Sequence, residues 1–367
     1  MEYVQEGVTT LHDLRGADRT VPTDRAAVVV PMTEREYTGV AAERVLSELA
    51  ALDPGRVVVP LRADASAVPA FREWLDGFDV GVDTVWCDGP RVADLLTEAG
   101  LDGPRGKGRD VWLALGVALA GDAQQVVVHD ADTETYSRAY VRRLLAPLVG
   151  DGGFSFAKGY YARVEDDGLY GRLFRLFYTP LVRTLRATHG GEFLSYLDAF
   201  RYALAGEFAA TREVVAGLRV QRQWGLEVGT LGDAYDAVGP AGTAQVDLGS
   251  YSHDHRAVSG ATGLAEMSES VGATLLRAVE EHGVTPAYGS LPERYRETAT
   301  ELVRSYAADA AFNDLPYDRA GELDQVATYA DAITEPSTDS RLPSWETASV
   351  EPAAVATAAS ADIEELS

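Results

Sequence analysis

The run Val126-Val127-Val128-His129-Asp130-Ala131-Asp132 carries an apolar strand straight into two acids at alternate positions. In an open α/β sheet, ligands bind beyond the carboxyl ends of the strands. A hard divalent cation bridging a diphosphate needs oxygen ligands there. Asp130 and Asp132 are suited to that task, although acids with this spacing also occur as ordinary surface residues. About 23 residues earlier stands Pro104-Arg105-Gly106-Lys107-Gly108-Arg109, a glycine loop that opens a helix and could admit phosphate. Lys107 and Lys158 are the only lysines in the chain, so an ammonium kept in that loop suggests a place where arginine would not serve. Gly249-Ser250-Tyr251-Ser252-His253-Asp254-His255-Arg256 follows another strand pattern, and His253 or its neighbour could complete a metal site. Glu207 in Gly206-Glu207-Phe208-Ala209-Ala210-Thr211-Arg212 and Glu227 in Trp224-Gly225-Leu226-Glu227-Val228-Gly229 sit in apolar stretches. Sugar hydroxyls or a nearby arginine could satisfy them.

These residues need a frame. Strand–helix pairs are predicted at 26–30 with 34–52, 56–60 with 68–77, 83–87 with 90–99 and 124–130 with 136–147, which implies a parallel sheet covered on both faces. Beyond it, 154–163 reads as a strand, 169–187 as a long amphipathic helix, 243–249 as a strand, and 262–283 and 292–311 as helices. The pattern divides the chain into a Rossmann-like half (1–150), a second half with the histidine loop and carboxyl-terminal helices (151–330), and an acidic, largely disordered tail (331–367), and the family resemblance set out below implies that the first binds a nucleotide-sugar and the second an acceptor.

Composition narrows the function classes. With 367 residues and 46% apolar side chains the chain can bury a large core. Its net charge of −25 repels phosphate backbones and argues against a nucleic-acid partner. The dispersed acid is read as solvation of the kind found in salt-adapted proteins. One cysteine cannot form an internal disulfide, and no apolar stretch is long enough for a bilayer, so a cytoplasmic protein without a membrane partner is expected. Zinc spacing, the Gly-x-Ser-x-Gly elbow and the Gly-x-x-x-x-Gly-Lys-Ser/Thr phosphate loop are all missing from the sequence. A sugar-phosphate nucleotidyltransferase and a non-catalytic nucleotide-sugar-binding protein are two classes that such a sheet with an acidic site could serve. The former lacks a glycine-rich triphosphate cradle, since residues 31–40 contain only Gly39.

Taken in order from about residue 26 to 290, the motifs resemble the glucosyl-3-phosphoglycerate synthases, retaining glycosyltransferases of the GT-A type. Gly-Lys-Gly followed by Val-Val-Val-His-Asp-Ala-Asp is similar to that family's Gly-Lys-Gly loop and Asp-Ser-Asp strand end. Gly206–Arg212 is similar to its Gly-Glu-Tyr-Ala-Ala-Thr-Arg, Gly225–Gly229 to its Gly-Val-Glu-Ile-Gly, and Asp247-Leu248-Gly249 with His253 to its Asn-Leu-Gly and metal-binding histidine. The resemblance implies an α/β fold of GT-A type and a Mg²⁺ or Mn²⁺ ion held by Asp132 and His253. It implies a donor, UDP-glucose, met by Pro31, Glu34, Lys107, Asp130, Ala131 and Asp132. Lys107 and Glu227 would act in catalysis, and Gly171, Arg172, Gly206, Glu207, Arg212 and Glu227 would bind the substrates. The acceptor would be a small anion such as 3-phosphoglycerate, its phosphate met by Arg172, and a homodimer is compatible with the resemblance. Phe174 stands where the family has a hydroxyl side chain, and Pro31-Met32-Thr33-Glu34 and Leu61-Arg62-Ala63-Asp64 depart from the family's pattern around the nucleotide.

Overall fold

The computed structural model describes residues 4–14, 20–165, 168–252, 261–337 and 339–366. Its strands are β1 (Thr9–Leu11), β2 (Ala26–Val29), β3 (Met32–Thr33), β4 (Arg56–Arg62), β5 (Val82–Trp86), β6 (Gln125–Val128), β7 (Phe156–Ala162), β8 (Val164–Glu165), β9 (Gly168–Leu169), β10 (Phe208–Thr211) and β11 (Thr243–Ser250). The helices are α1 (Val40–Leu52), α2 (Val68–Asp76), α3 (Pro90–Glu98), α4 (Lys107–Ala120), α5 (Ala139–Val149), α6 (Thr179–His189), α7 (Glu192–Asp198), α8 (Arg212–Gly217), α9 (Leu226–Val238), α10 (Ala261–Glu281), α11 (Leu291–Phe312), α12 (Arg319–Asp331) and α13 (Pro352–Glu365).

One nine-stranded sheet runs β1-β11-β7-β10-β6-β2-β4-β3, with β5 also paired to β4. Its centre follows from β-branched runs buried on both faces. Ala27, Val29 and Val58 pack toward α4, while Ala26, Val28 and Val57 pack toward α1 and α5. β2 pairs in parallel with β4 and β6. β10 is the exception, lying antiparallel to both β6 and β7. It lets residues 205–207 arrive at the same edge where β6 and β7 end. This is an α/β fold with a central sheet flanked by helices.

Two expectations change. The single helix read over 169–187 is instead β9, a π-helical turn at Leu173–Tyr178, and α6, whose start is marked by Pro180. The stretch from 331 is not largely disordered where it is described. Leu342 pairs with Val220, Trp345 stacks on Trp112 with ring centroids 3.9 Å apart, and α13 packs on α3 and α4. Its inward positions include Val355, Ala359 and Ile363. Small alanines allow close helix contact without a strong apolar period, which is why periodicity misses the helix.

Candidate functional site

Asp130 and Asp132 emerge at the carboxyl end of β6, after His129 has closed the strand by donating its backbone N–H to Val29 O at 3.0 Å. Lys107 opens α4 and enters from the side: its ammonium lies 2.6 Å from Asp130 Oδ1 and 3.4 Å from Glu227 Oε1. Glu227 stands in the first turn of α9, whose preceding residue, Gly225, has left-handed backbone. Three distant stretches thus meet on one ammonium. Burial works against the charge of Lys107, but Asp130 and Glu227 outweigh it and hold the group protonated above its usual range.

The glycines of this region have a more local reason than phosphate. A side chain at Gly108 would lie 1.7 Å from Gln221 O, and Arg109 N–H donates to Arg222 O at 2.9 Å. The Gly106–Gly108 backbone therefore packs against residues 221–223, which lead directly into Glu227. At Gly206 a Cβ would lie 2.4 Å from Asp130 Oδ2. The segment carrying Glu207 can approach the β6 acids only without a side chain there.

Glu207 is almost fully buried, and its carboxylate accepts from the Tyr251 hydroxyl. The Tyr251 oxygen in turn accepts from Thr133 Oγ1 at 2.6 Å, and the Tyr251 ring stacks on Tyr161 at 3.7 Å. Burial, followed by the charge of Asp130, pushes the Glu207 carboxyl up. The same two influences push Asp132 up, with Lys107 opposing them. Asp132 Oδ1 and Glu207 Oε2 are buried and have no hydrogen-bond partner among the described residues. Lys158, within β7, is buried and donates to Ala205 O, and loss of solvent lowers its ammonium to about 8. The whole cluster therefore holds Asp130, Asp132, Glu207, Glu227, Lys107 and Lys158 around the end of three neighbouring strands.

Other sequence-predicted residues lie further out. Ala131 is buried between the two acids. Pro31 follows β2, and Glu34 stands beyond β3, where its carboxylate accepts from Asp64 N–H at 2.5 Å. Near it, Arg62 pairs with Asp110 at 3.2 Å and Arg109 with Asp88 at 2.8 Å, so the departing segment Leu61–Asp64 feeds a separate charged cluster. Gly171 and Arg172 lead into the π-helical turn, and Arg172 Nε lies 3.7 Å from Glu322 Oε1.

Arg212 is not brought to the site. Its guanidinium donates to Gly121 O at 3.0 Å and Ala123 O at 3.2 Å and also to Leu119 O, all at the carboxyl end of α4. α4 begins with Lys107, and its length at 1.5 Å per residue puts Arg212 roughly 20 Å from the cluster. Its role is to cap helix carbonyls. His253 lies outside the described residues. Tyr251, Thr133 and Tyr161 were missed by reading single acids and histidines. The signal available was Tyr251 inside Gly-Ser-Tyr-Ser and the pair Tyr160-Tyr161 at the end of a strand.

A full cation shell is not assembled from these side chains: among the described residues no group of three His, Cys, Asp or Glu is arranged to hold a metal ion. The chemistry present is a carboxylate cluster with two lysine ammonium groups and two buried carboxylate oxygens that have no hydrogen-bond partner.

No family model matches the chain. It is similar to the glucosyl-3-phosphoglycerate synthase of Methanococcoides burtonii, at 32% identity over 94% of this chain and 93% of that protein. Against the enzyme of the same name from Persephonella marina identity is 36% over 83% of this chain and 79% of that protein. A crystal structure of glucosyl-3-phosphoglycerate synthase from Mycobacterium tuberculosis in complex with Mn²⁺, UDP-glucose and phosphoglyceric acid shares 26% identity. Its TM-score is 0.54, with 71% of this chain and 81% of that chain covered. A complex of the M. tuberculosis enzyme with Mg²⁺ and UDP shares 25% identity at a TM-score of 0.56, covering 76% of this chain and 88% of that one. The agreement extends over nearly the whole of the first relative, and on that basis the chain belongs to the glucosyl-3-phosphoglycerate synthase family and is a glycosyltransferase.

Proposed function

We propose that this chain transfers glucose from UDP-glucose to 3-phosphoglycerate, with a divalent cation bound at the β6 acids. The observation that carries the site assignment is Lys107 held between Asp130 and Glu227, with a buried, unsatisfied oxygen on Asp132 two residues from Asp130. Homologous structures containing Mn²⁺ or Mg²⁺ with UDP or UDP-glucose, and phosphoglyceric acid, supply the ligand classes.

Asp132 fits a cation on physical grounds. Its buried carboxyl is held up by desolvation and by neighbouring acids, and one oxygen lacks a donor. A hard dication would meet both conditions, with Asp132 and, from the family resemblance, His253 as its protein ligands. Bound there, Mg²⁺ or Mn²⁺ neutralises charge on the departing diphosphate.

The remaining work belongs to the side chains. In this reading the Lys107 ammonium faces the donor's phosphates, Glu227 accepts hydrogen bonds from the donor sugar's hydroxyls, and Asp130 keeps Lys107 in place and meets the ribose. Glu207, fixed by Tyr251, shapes the wall behind the sugar. Arg172 draws the acceptor's phosphate to the opposite side. The acceptor hydroxyl attacks the anomeric carbon from the face that the diphosphate leaves. The bond to the diphosphate oxygen breaks, the hydroxyl proton passes to the departing group, and the anomeric configuration is kept. Burial of the cluster makes each of these charges count for more than it would in water.

The cytoplasm and a salt-rich setting complete the reading, supported by the acidic composition and a single cysteine. The test is product formation from UDP-, GDP- and ADP-glucose with 3-phosphoglycerate or D-glycerate, with and without Mn²⁺. Glucosyl-3-phosphoglycerate from UDP-glucose is expected, and Asp132→Asn is expected to reduce it at least about 100-fold. Wild-type turnover by purified, folded Asp132→Asn would remove the metal assignment.

A further inference from the structure

A second polar group gathers around Gly171. The β8–β9 hairpin folds the chain back so that Tyr170 N–H donates to Arg163 O at 3.0 Å, which places Arg163, just after β7, beside Gly171 and Arg172. A Cβ at Gly171 would lie 3.6 Å from the Tyr202 ring, 3.7 Å from its hydroxyl and 3.9 Å from Arg163 Cδ. Arg163 Nη1 donates to the Tyr202 oxygen at 3.2 Å, which leaves that phenol's own O–H as a donor.

Tyr202 is held in place by two other rings. Its ring centroid lies 5.0 Å from that of Tyr161 and 5.0 Å from that of Phe174. Phe174, which offers no hydroxyl itself, thus fixes one that stands beside it. Burial raises the Tyr202 phenol above its usual value, Arg163 opposes this, and Glu207 and Glu227 add to it. The phenol thus feels both Arg163 and the carboxylates assigned to the donor. Arg172 is 45% exposed, and its neighbour Glu322 is already engaged by the buried Arg175 at 2.8 Å.

We propose that Arg163 and the Tyr202 hydroxyl, together with Arg172, bind the phosphate of the acceptor and set the preference for a phosphorylated substrate. A phosphate monoester carries close to two charges and three acceptor oxygens. Two guanidinium groups and a hydroxyl supply donors in the planar, charged geometry that such a group binds best. This inference rests on the glucosyl-transfer reading above.

The experiment is steady-state kinetics of the full chain with UDP-glucose and 3-phosphoglycerate. Arg163→Gln is expected to raise KM for 3-phosphoglycerate by about tenfold, the loss of one charge-assisted contact, with KM for UDP-glucose within about twofold of wild type. Arg163→Lys recovers part of the loss. Tyr202→Phe keeps the ring and raises the acceptor KM by about threefold, and it decides the matter if Arg163→Gln does not fold. An unchanged acceptor KM in the folded variants overturns the proposal, as does a parallel rise in KM for UDP-glucose. Failure of the wild-type protein to make product from any acceptor would instead remove the functional reading itself.

Discussion

Trp345→Ala tests the most unexpected part of the fold. Trp345 is 7% exposed, stacks on Trp112, and donates its indole N–H to Trp112 O at 3.1 Å, while Trp112 donates to Pro343 O at 2.8 Å. Burying a ring of this size removes about 200 Å² from water, and truncating buried Phe or Trp to Ala costs about 3–5 kcal/mol. A residue in a disordered tail would cost less than about 0.5 kcal/mol. The assay is urea unfolding followed by far-ultraviolet circular dichroism, which is insensitive to losing one tryptophan fluorophore. The midpoint is expected to fall with the slope unchanged. A partner variant sharpens the result: a Cβ at Gly116 would lie 2.3 Å from Trp345 Cζ2, so Gly116→Ala also destabilises. In the double variant the clash has lost its object, and the two losses add to clearly less than their sum. A loss below 0.5 kcal/mol for Trp345→Ala, or strict additivity, would refute the packing described.

Gly206→Ala forces a Cβ toward Asp130 Oδ2, and displacing the acid that holds Lys107 by about 1 Å should lower kcat/KM roughly 100-fold while the melting temperature falls little. Lys158 is brought from 10.5 down to about 8 by burial. Its charged form opposes folding fully below about pH 8, and stability then rises as the folded state releases the proton before the unfolded state does. Between pH 7 and 9.5 that rise is worth about 2 kcal/mol, and Lys158→Met should remove it, as read from urea midpoints at the two pH values. With a net charge of −25, the melting temperature should climb as KCl is raised from 0.1 to about 1 M, because screening relieves self-repulsion. A flat or falling curve would mean that the acids are locally compensated.

Much of the frame was legible because β-branched runs alternating with Ala/Leu/Glu patterns leave few topologies open. β10 was not. Its four residues carry no period of their own, and antiparallel insertion between parallel strands is decided by the sheet. The cluster was legible where charged residues follow strands or open helices, as with Asp130, Asp132, Lys107 and Glu227. Arg212 misled because it adjoins Gly206-Glu207 in sequence. Five residues of extended chain at about 3.3 Å each carry it to the opposite end of the strands, beside the start of β6. Tyr251 and Tyr202 were overlooked since an aromatic side chain states burial more readily than it states which carboxylate or guanidinium its hydroxyl will meet.

The cap of α3 carries one further consequence. Gly89 supplies no side chain, and the free amides of Arg91 and Val92 are satisfied at 2.9 and 3.0 Å by Asp362, a residue translated some 270 positions later. During synthesis, then, the helix waits with its leading amides open until a segment some 270 residues further along has left the ribosome. The start of α3 is consequently consolidated only after α13 has docked, although α3 is made well before it.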